Sequence, residues 1–440
     1  MRAAPTAARD IAGALADATA RFAARHPRSA TRLREAQRAM PGGNTRSVLF
    51  YPPFPVVMAR GDGCRLWDVD GHGYLDALGE FTAGLYGHSN PIIRGAIEAA
   101  LRHGLSLSAH NEHEPLLALE VQRRFPSMEL LRFTNSGTEA NLLALAAAWV
   151  HTGRRRIMVF DGAYHGGVLS FTAAAMPLNV PHEFVRAPYN DLAAARALAL
   201  GHADGLAAIL VEPMQGSGGC IPGEPDFLHG LRALADDCGA LLVFDEVMTS
   251  RLAFGGRQGA LGITPDLTTL GKYFGGGLSF GAFGGRGDVM ERFDPRRPDA
   301  LAHAGTFNNN VLSMAAGYAG LARVLTADAI SGLNLRGELL RERLNGLFAR
   351  RGVALHCSGM GSLMNLHAVA GPVRTRADLQ GEDARAKTLL FFELLERGVY
   401  IAHRGLMALS LPWGDSEVDE LVSAVDAAVA RHEAVLPARE

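Results

Sequence analysis

Gly239-Ala-Leu-Leu-Val-Phe-Asp245-Glu246-Val247 decides the fold. A short, β-rich apolar run led by glycine reads as a strand, and its last residues are carboxylates. A second run, Asp266-Leu-Thr-Thr-Leu-Gly271-Lys272, ends on a lysine and is followed by Gly275-Gly276-Gly277. Outward from these two runs, helical and strand-like segments alternate. Helices are expected over Ile92–His103, Glu114–Phe125 and Thr138–His151, and strands over Leu130–Thr134, Ile157–Phe160, Ala207–Val211 and Ala240–Phe244. That alternation predicts an α/β protein with a mainly parallel sheet covered by helices on both faces. Functional groups in such sheets gather at the carboxyl ends of the strands, where Asp161, Glu212, Asp245 and Lys272 all fall.

The flanks read differently. Ala, Leu and Arg at helical spacing predict one lead-in helix from about Asp10 to Met40, ended by Pro41-Gly42-Gly43-Asn44. Residues 56–78 read as short strands broken by Gly61-Asp62-Gly63 and Asp70-Gly71-His72-Gly73. Beyond about residue 325, helices near 333–351, 383–397 and 416–434 flank strands near 353–368 and 399–411. The expected organisation is a large domain over 76–324 and a smaller α+β domain over 325–440, with the N-terminal segment 1–75 contributing to the small one.

Composition narrows the function. The chain has 440 residues, is 48% hydrophobic, and carries a net charge of -2, so it is long enough for a substantial core. It has no long basic run, which argues against nucleic acid and anionic membranes as partners. No apolar stretch approaches the roughly 20 residues a spanning helix needs. The four cysteines are scattered with no C-x-x-C pair, which fits no metal site and a cytoplasmic location.

Only two lysines, Lys272 and Lys387, occur in the chain. Lys387 lies in a charged helical segment and reads as surface. Lys272, amid glycines and opposite Asp245, suits pyridoxal 5'-phosphate: the amine forms a Schiff base with the aldehyde, and the carboxylate pairs with the pyridine nitrogen. A structural arginine such as Arg251 is the alternative partner for Asp245. Ser136-Gly137-Thr138, at a strand-to-helix junction, reads as a helix cap, a phosphate cradle, or both at once. Tyr164-His165 follows a strand end, where the aromatic ring could stack on a cofactor. Glu212 could accept a hydrogen bond near that ring. Thr306 precedes an Ala/Gly-rich helix within reach of a phosphate. Arg46 and Arg404 are candidate carboxylate anchors.

The ordered set Asn135-Ser-Gly-Thr-Glu-Ala140, Tyr164-His-Gly166, Val211-Glu-Pro213, Phe244-Asp-Glu-Val247, Thr269-Leu-Gly-Lys272 and Gly305-Thr-Phe307 resembles the class III aminotransferases, pyridoxal-phosphate enzymes of fold type I. Asn44–Tyr51 with Pro53-Phe54-Pro55, Arg132-Phe133-Thr134 and Thr306–Asn310 resemble the branch acting on aromatic β-amino acids. The resemblance implies a ping-pong transfer from an (S)-β-phenylalanine-like donor to 2-oxoglutarate or pyruvate. It implies Lys272 and Asp245 as catalytic residues, Ser136, Gly137 and Thr138 at the phosphate, and Tyr164 and Val247 on opposite faces of the ring. Thr306 would reach in from the second subunit of a homodimer. Arg46 would bind the substrate carboxylate, and Arg404 would swing in for a second one. Met40-Pro-Gly-Gly43 and Asp245-Glu-Val-Met-Thr249 also resemble glutamate-1-semialdehyde aminomutases, so an aminomutase or an amino-acid racemase is the alternative. Two departures disfavour it: Arg46 comes early after Pro-Gly-Gly, and Ser170–Pro181 lacks that branch's Gly-Ser-Gly gate.

Overall fold

The two deciding runs become neighbouring parallel strands, Leu241–Asp245 and Leu267–Gly271, with Asp245 opposite Thr269. The computed structural model describes residues 10–174 and 176–439. Its main sheet has seven strands in the order Leu130–Thr134, Gly281–Gly285, Leu267–Gly271, Leu241–Asp245, Leu206–Val211, Arg156–Phe160 and Phe184–Ala187. Only Gly281–Gly285 runs against its two neighbours, so the sheet is mainly parallel as expected. All five side chains of Leu241–Asp245 are buried, as are all six of Leu206–Val211. At about 1.5–3 kcal/mol for each fully buried Val, Leu, Ile or Phe, these central strands anchor the fold.

Two strands of this sheet escaped the sequence reading. Phe184–Ala187 is a short edge strand, and Gly281–Gly285 hides behind its glycines. Those glycines are required: a Cβ on Gly281 would lie 2.2 Å from the Ser136 carbonyl oxygen, and one on Gly285 2.0 Å from that of Asp266. The expected lead-in helix is corrected to two, Ile11–Arg25 and Pro27–Ala36. Proline cannot continue a helix interior, and Pro27 instead starts the second one. The helix expected near 333–351 begins earlier, at Ala327.

The N- and C-terminal segments meet in a second sheet. Met58–Asp62, Arg65–Asp68 and Gly73–Asp76 pair in sequence, and Val399–Tyr400 adds in parallel to the last. Helix Ile11–Arg25 packs on helix Ala384–Glu396, clamped by the buried Glu393. Its carboxylate pairs with Arg21 at 2.6 Å, Arg397 at 2.5 Å and His432 at 2.9 Å. Burial alone would raise the pKa of Glu393, but the close contact with His432 and the hydrogen bond from Arg397 hold it below the usual carboxylate range. This contribution to stability is therefore present above the unfolded-state pKa and lost as pH falls through the folded one. Glu393→Gln should destabilise the protein by about 1.5–3 kcal/mol, read as a lower urea midpoint at neutral pH. The difference from wild type should shrink as the pH is lowered.

Candidate active site

Asp245 ends its strand with a buried carboxylate. One oxygen accepts hydrogen bonds from Asn141 Nδ2 and His165 Nδ1, both at 2.8 Å. The other accepts from the Val247 N–H at 3.0 Å. Arg251 is not its partner: that guanidinium is also buried but bonds Ser362 Oγ and the carbonyl of Leu409. Asn141, absent from the sequence expectations, also donates to the His165 carbonyl and accepts from Thr269 Oγ1. It was legible only as a polar residue one helical turn beyond Gly137 in an otherwise Ala/Leu-rich helix. His165 Nδ1 meets a carboxylate and is therefore a donor, while Nε2 is buried without a partner among the described residues. His165 thus lies behind Asp245 as its support.

The strand Leu130–Thr134 leads through Ser136 into helix Gly137–Thr152. Ser136 Oγ caps the helix by accepting from the Glu139 N–H at 3.2 Å. Gly137 and Thr138 occupy the first turn, where N–H groups lack intrahelical partners and the helix dipole favours an anion. Cap and anion cradle coexist in this geometry. A Cβ on Gly137 would come 2.9 Å from Val247 Cγ2, so glycine lets the half-buried Val247 approach this turn. Gly166, at φ 132°, similarly makes room for Thr138.

Glu212 does not face solvent. It accepts from the Tyr164 N–H and the Gly216 N–H, both at 2.9 Å. Burial pushes its pKa up to about 7, with the Asp245 charge adding to the rise and His165 opposing it. Tyr164 itself stays 43% exposed, leaving its ring open to a ligand.

Lys272 follows strand Leu267–Gly271 in a left-handed conformation, φ 58°. Its Nζ donates to the Phe81 carbonyl at 2.7 Å and to Thr82 Oγ1 at 3.0 Å. Removal from water pulls its pKa down to about 8, against the pull of Asp245 and Glu212. Lys387, expected at the surface, is instead mostly covered and paired with Glu382 at 3.1 Å.

The receiving segment was not foreseen. Glu80, Phe81 and Thr82 have φ of 47°, 50° and 81°. Such non-glycine conformations cost on the order of 1–3 kcal/mol each and leave no mark in the sequence. Both anchor arginines lie against the Phe81 ring: the Arg46 guanidinium is 5.5 Å from its centroid and that of Arg404 is 5.6 Å. Arg46, half exposed, pairs with Glu80. Arg404 has its Nε buried without a partner among the described residues. Thr306 is exposed and joins none of these groups within the one chain. Its loop is near, since Asn308 Oδ1 accepts from Asn135 Nδ2 at 3.0 Å.

The chemistry of this donor set fits pyridoxal phosphate. A lysine with lowered pKa, a buried carboxylate, an open helix start and an unobstructed tyrosine face are convergent. The profile of the class-III aminotransferase family matches residues 50–429. The chain is 56% identical to the β-phenylalanine transaminase of Variovorax paradoxus over 96% of this chain and 98% of that one. It is 36% identical to the glutamate-1-semialdehyde 2,1-aminomutase of Nitratidesulfovibrio vulgaris over 91% of this chain and 98% of that one. Its structure superposes on a solved β-phenylalanine aminotransferase from Variovorax paradoxus with a TM-score of 0.96, covering 98% of this chain and all of the other.

A lysine captures an aldehyde only as the neutral amine, and a group of pKa about 8 gains neutral fraction about tenfold per pH unit below that value. Protein stripped of cofactor should therefore capture added pyridoxal phosphate about tenfold faster at pH 7 than at pH 6. The rate should level off above pH 8 when followed by the cofactor's absorbance.

Proposed function

Because the chain belongs to the class III aminotransferases, enzymes that use pyridoxal 5'-phosphate, we propose that it moves the amino group of an aromatic β-amino acid resembling (S)-β-phenylalanine to 2-oxoglutarate or pyruvate. The observation that carries this reading is the pair of guanidiniums that both lie against the Phe81 ring, whose backbone carbonyl receives Lys272. One guanidinium can hold the carboxylate common to donor and acceptor. The second offers a site to the extra carboxylate of a diacid acceptor. Likeness to a β-phenylalanine transaminase along nearly the whole chain supports the donor class.

In this reading, Ser136, Gly137 and Thr138 hold the phosphate at the helix start, and Asp245 meets the pyridine nitrogen. Tyr164 and Val247 cover the two faces of the ring. Glu212 and His165 act one layer back, on the Tyr164 backbone and on Asp245. When bound, pyridoxal phosphate supplies a sink for the electron pair left as the amine-bearing carbon loses its proton. Lys272 is the residue that would hold the cofactor covalently, and its amine, when free and neutral, would take the proton from that carbon. Arg46 binds the donor carboxylate after Glu80 yields it. That pair is half exposed on both sides and is worth only about 0–1 kcal/mol, so the exchange is cheap. Arg404 is mostly buried, and burial lowers its pKa. A substrate phenyl group filling the pocket would shut this guanidinium off from water with no anion to meet it, so Arg404 swings out for the ring and in for a carboxylate.

The reading includes a homodimer with Thr306 completing the partner's phosphate site. Leu101, Leu105, Leu107, Leu116, Leu119 and Phe307 are all exposed by 41% or more. They lie on or beside elements that pack together: helices Pro91–Leu101 and His113–Arg124 both contact helix Val311–Arg323. The loop bearing Thr306 and Phe307 is tied there by Asn309 Nδ2 to Glu114.

The deciding assay is oxo-acid or acetophenone formation from (S)-β-phenylalanine, with and without 2-oxoglutarate, while the cofactor spectrum is followed. Sustained turnover should need the oxo acid, and the donor alone should convert the cofactor once. Turnover with no oxo acid would favour an isomerase. Arg404→Ala should raise the KM for 2-oxoglutarate about 10–100-fold, from the loss of a charge-assisted contact worth about 1.5–3 kcal/mol, with little effect on the aromatic donor. Phe307→Asp should yield a monomer by light scattering, with weakened cofactor retention. A monomeric wild type would remove the dimer from this account.

A further inference from the structure

Three successive non-glycine residues in left-handed backbone form the most strained stretch of the described chain, and each serves a different group of the site. Glu80 pairs with Arg46, the Phe81 ring lies against both Arg46 and Arg404, and the Phe81 carbonyl and Thr82 hydroxyl receive Lys272. Strain of this kind persists only where surrounding contacts over-determine it. Those contacts are visible: Gly79 and Leu78 donate backbone N–H bonds to Asp76 Oδ1 just upstream, and Arg251 reaches the Thr82 carbonyl from below. Thr82 is completely buried, so its hydroxyl is aimed by the fold and does not sample solvent.

The number of acceptors points to the state of the lysine that this cradle serves. A free amine brings two N–H donors when neutral and three when protonated. A nitrogen covalently tied to the cofactor's aldehyde carbon keeps at most one N–H and cannot fill both acceptors. Two acceptors at 2.7 and 3.0 Å therefore suit the released amine. We propose that Thr82, together with the Phe81 carbonyl, is the cradle that holds the Lys272 amine during the part of the cycle in which it is not bonded to the cofactor, which makes Thr82 a positioning residue for proton transfer. The proposal rests on the reading of Lys272 as the cofactor-bearing lysine. Without the cradle, a flexible four-carbon stem would let the amine wander from the carbon it must deprotonate.

The presence of only two lysines makes the test direct. The pyridoxamine-phosphate-loaded enzyme, in which the Lys272 amine is free, is treated with acetic anhydride across a pH series. Acetylation of Lys272 and Lys387 is then counted by peptide mass spectrometry. The charged groups acting on the amine are Asp245 and Glu212, which favour its protonated form, and Arg404 and Arg251, which oppose it. Thr82→Val keeps the shape and removes one acceptor from the protonated amine, which lowers its pKa. Lys272 acetylation at pH 7 should then rise about threefold to tenfold. Lys387 should be unchanged, and Thr82→Ser should restore the wild-type profile. In turnover, Thr82→Val should lower kcat while leaving the donor KM in place.

An unaltered Lys272 profile in Thr82→Val overturns the cradle. Equal changes at both lysines overturn it as well, because they signal general loosening. Wild type loaded with pyridoxal phosphate provides the separate check. Protection of Lys272 upholds the cofactor assignment whatever Thr82→Val does. Full acetylation there overturns that assignment and the cradle with it.

Discussion

A carboxylate at the end of a wholly apolar strand is the constraint on which the rest of the site depends. An ion taken out of water costs several kcal/mol unless its lone pairs are met. Asp245 is met by Asn141, His165 and the Val247 N–H. Each of these bonds fixes something larger. Asn141 sets the rotation of helix Gly137–Thr152, and with it the direction of the helix start. It also bonds Thr269, which ties the helix to the strand that delivers Lys272. His165 sets the loop after strand Arg156–Phe160, and therefore the place of Tyr164. A carboxylate accepts about four hydrogen bonds, and three are taken, which leaves one that a pyridinium N–H would fill in the proposed reading.

The neighbouring carboxylate behaves differently for the same physical reason. Glu212 is as buried as Asp245 but has only two backbone N–H donors, and it lies within the field of the Asp245 charge. Its pKa accordingly climbs to about 7. Two buried anions and one lysine would be poorly balanced. A Glu212 that can take up a proton near neutrality eases the imbalance while still holding the Tyr164 loop.

The expectations that succeeded were those with a local physical cause. Apolar runs ended by charged residues located four of the sheet's strands, and the Ser-Gly-Thr cap located the helix start. The failures share a cause as well. Gly281–Gly285 reads as a loop because its glycines answer to the backbone of other segments, at Ser136 and Asp266, which no local pattern reveals. The break at Pro27 was missed because Ala- and Arg-rich periodicity runs through it unaltered, although proline cannot continue a helix interior. The Glu80–Thr82 stretch was silent because tertiary contacts hold its left-handed backbone, and its residue types do not favour that conformation. Asn141 was visible as an oddity, but only the fold supplies the carboxylate that explains it.

The two arginines differ in a way that assigns them different tasks. Arg46 is half exposed and already holds a carboxylate, that of Glu80. Exchanging one carboxylate for another in a solvated pair changes the energy little, which suits a site occupied by every substrate. Arg404 is mostly buried, with its Nε unpartnered among the described residues, and burial disfavours its charge. A guanidinium in that condition gains most from an incoming anion and loses most when an aromatic ring takes the anion's place. The Phe81 ring beside both gives Arg404 a partial substitute, since a ring face attracts a cation by about 0.5–2 kcal/mol. That is less than a charge-assisted hydrogen bond to a carboxylate contributes. In the proposed reading Arg404 would leave the pocket without a large penalty and return preferentially for a second carboxylate, which would let a single pocket serve two unlike substrates in alternation.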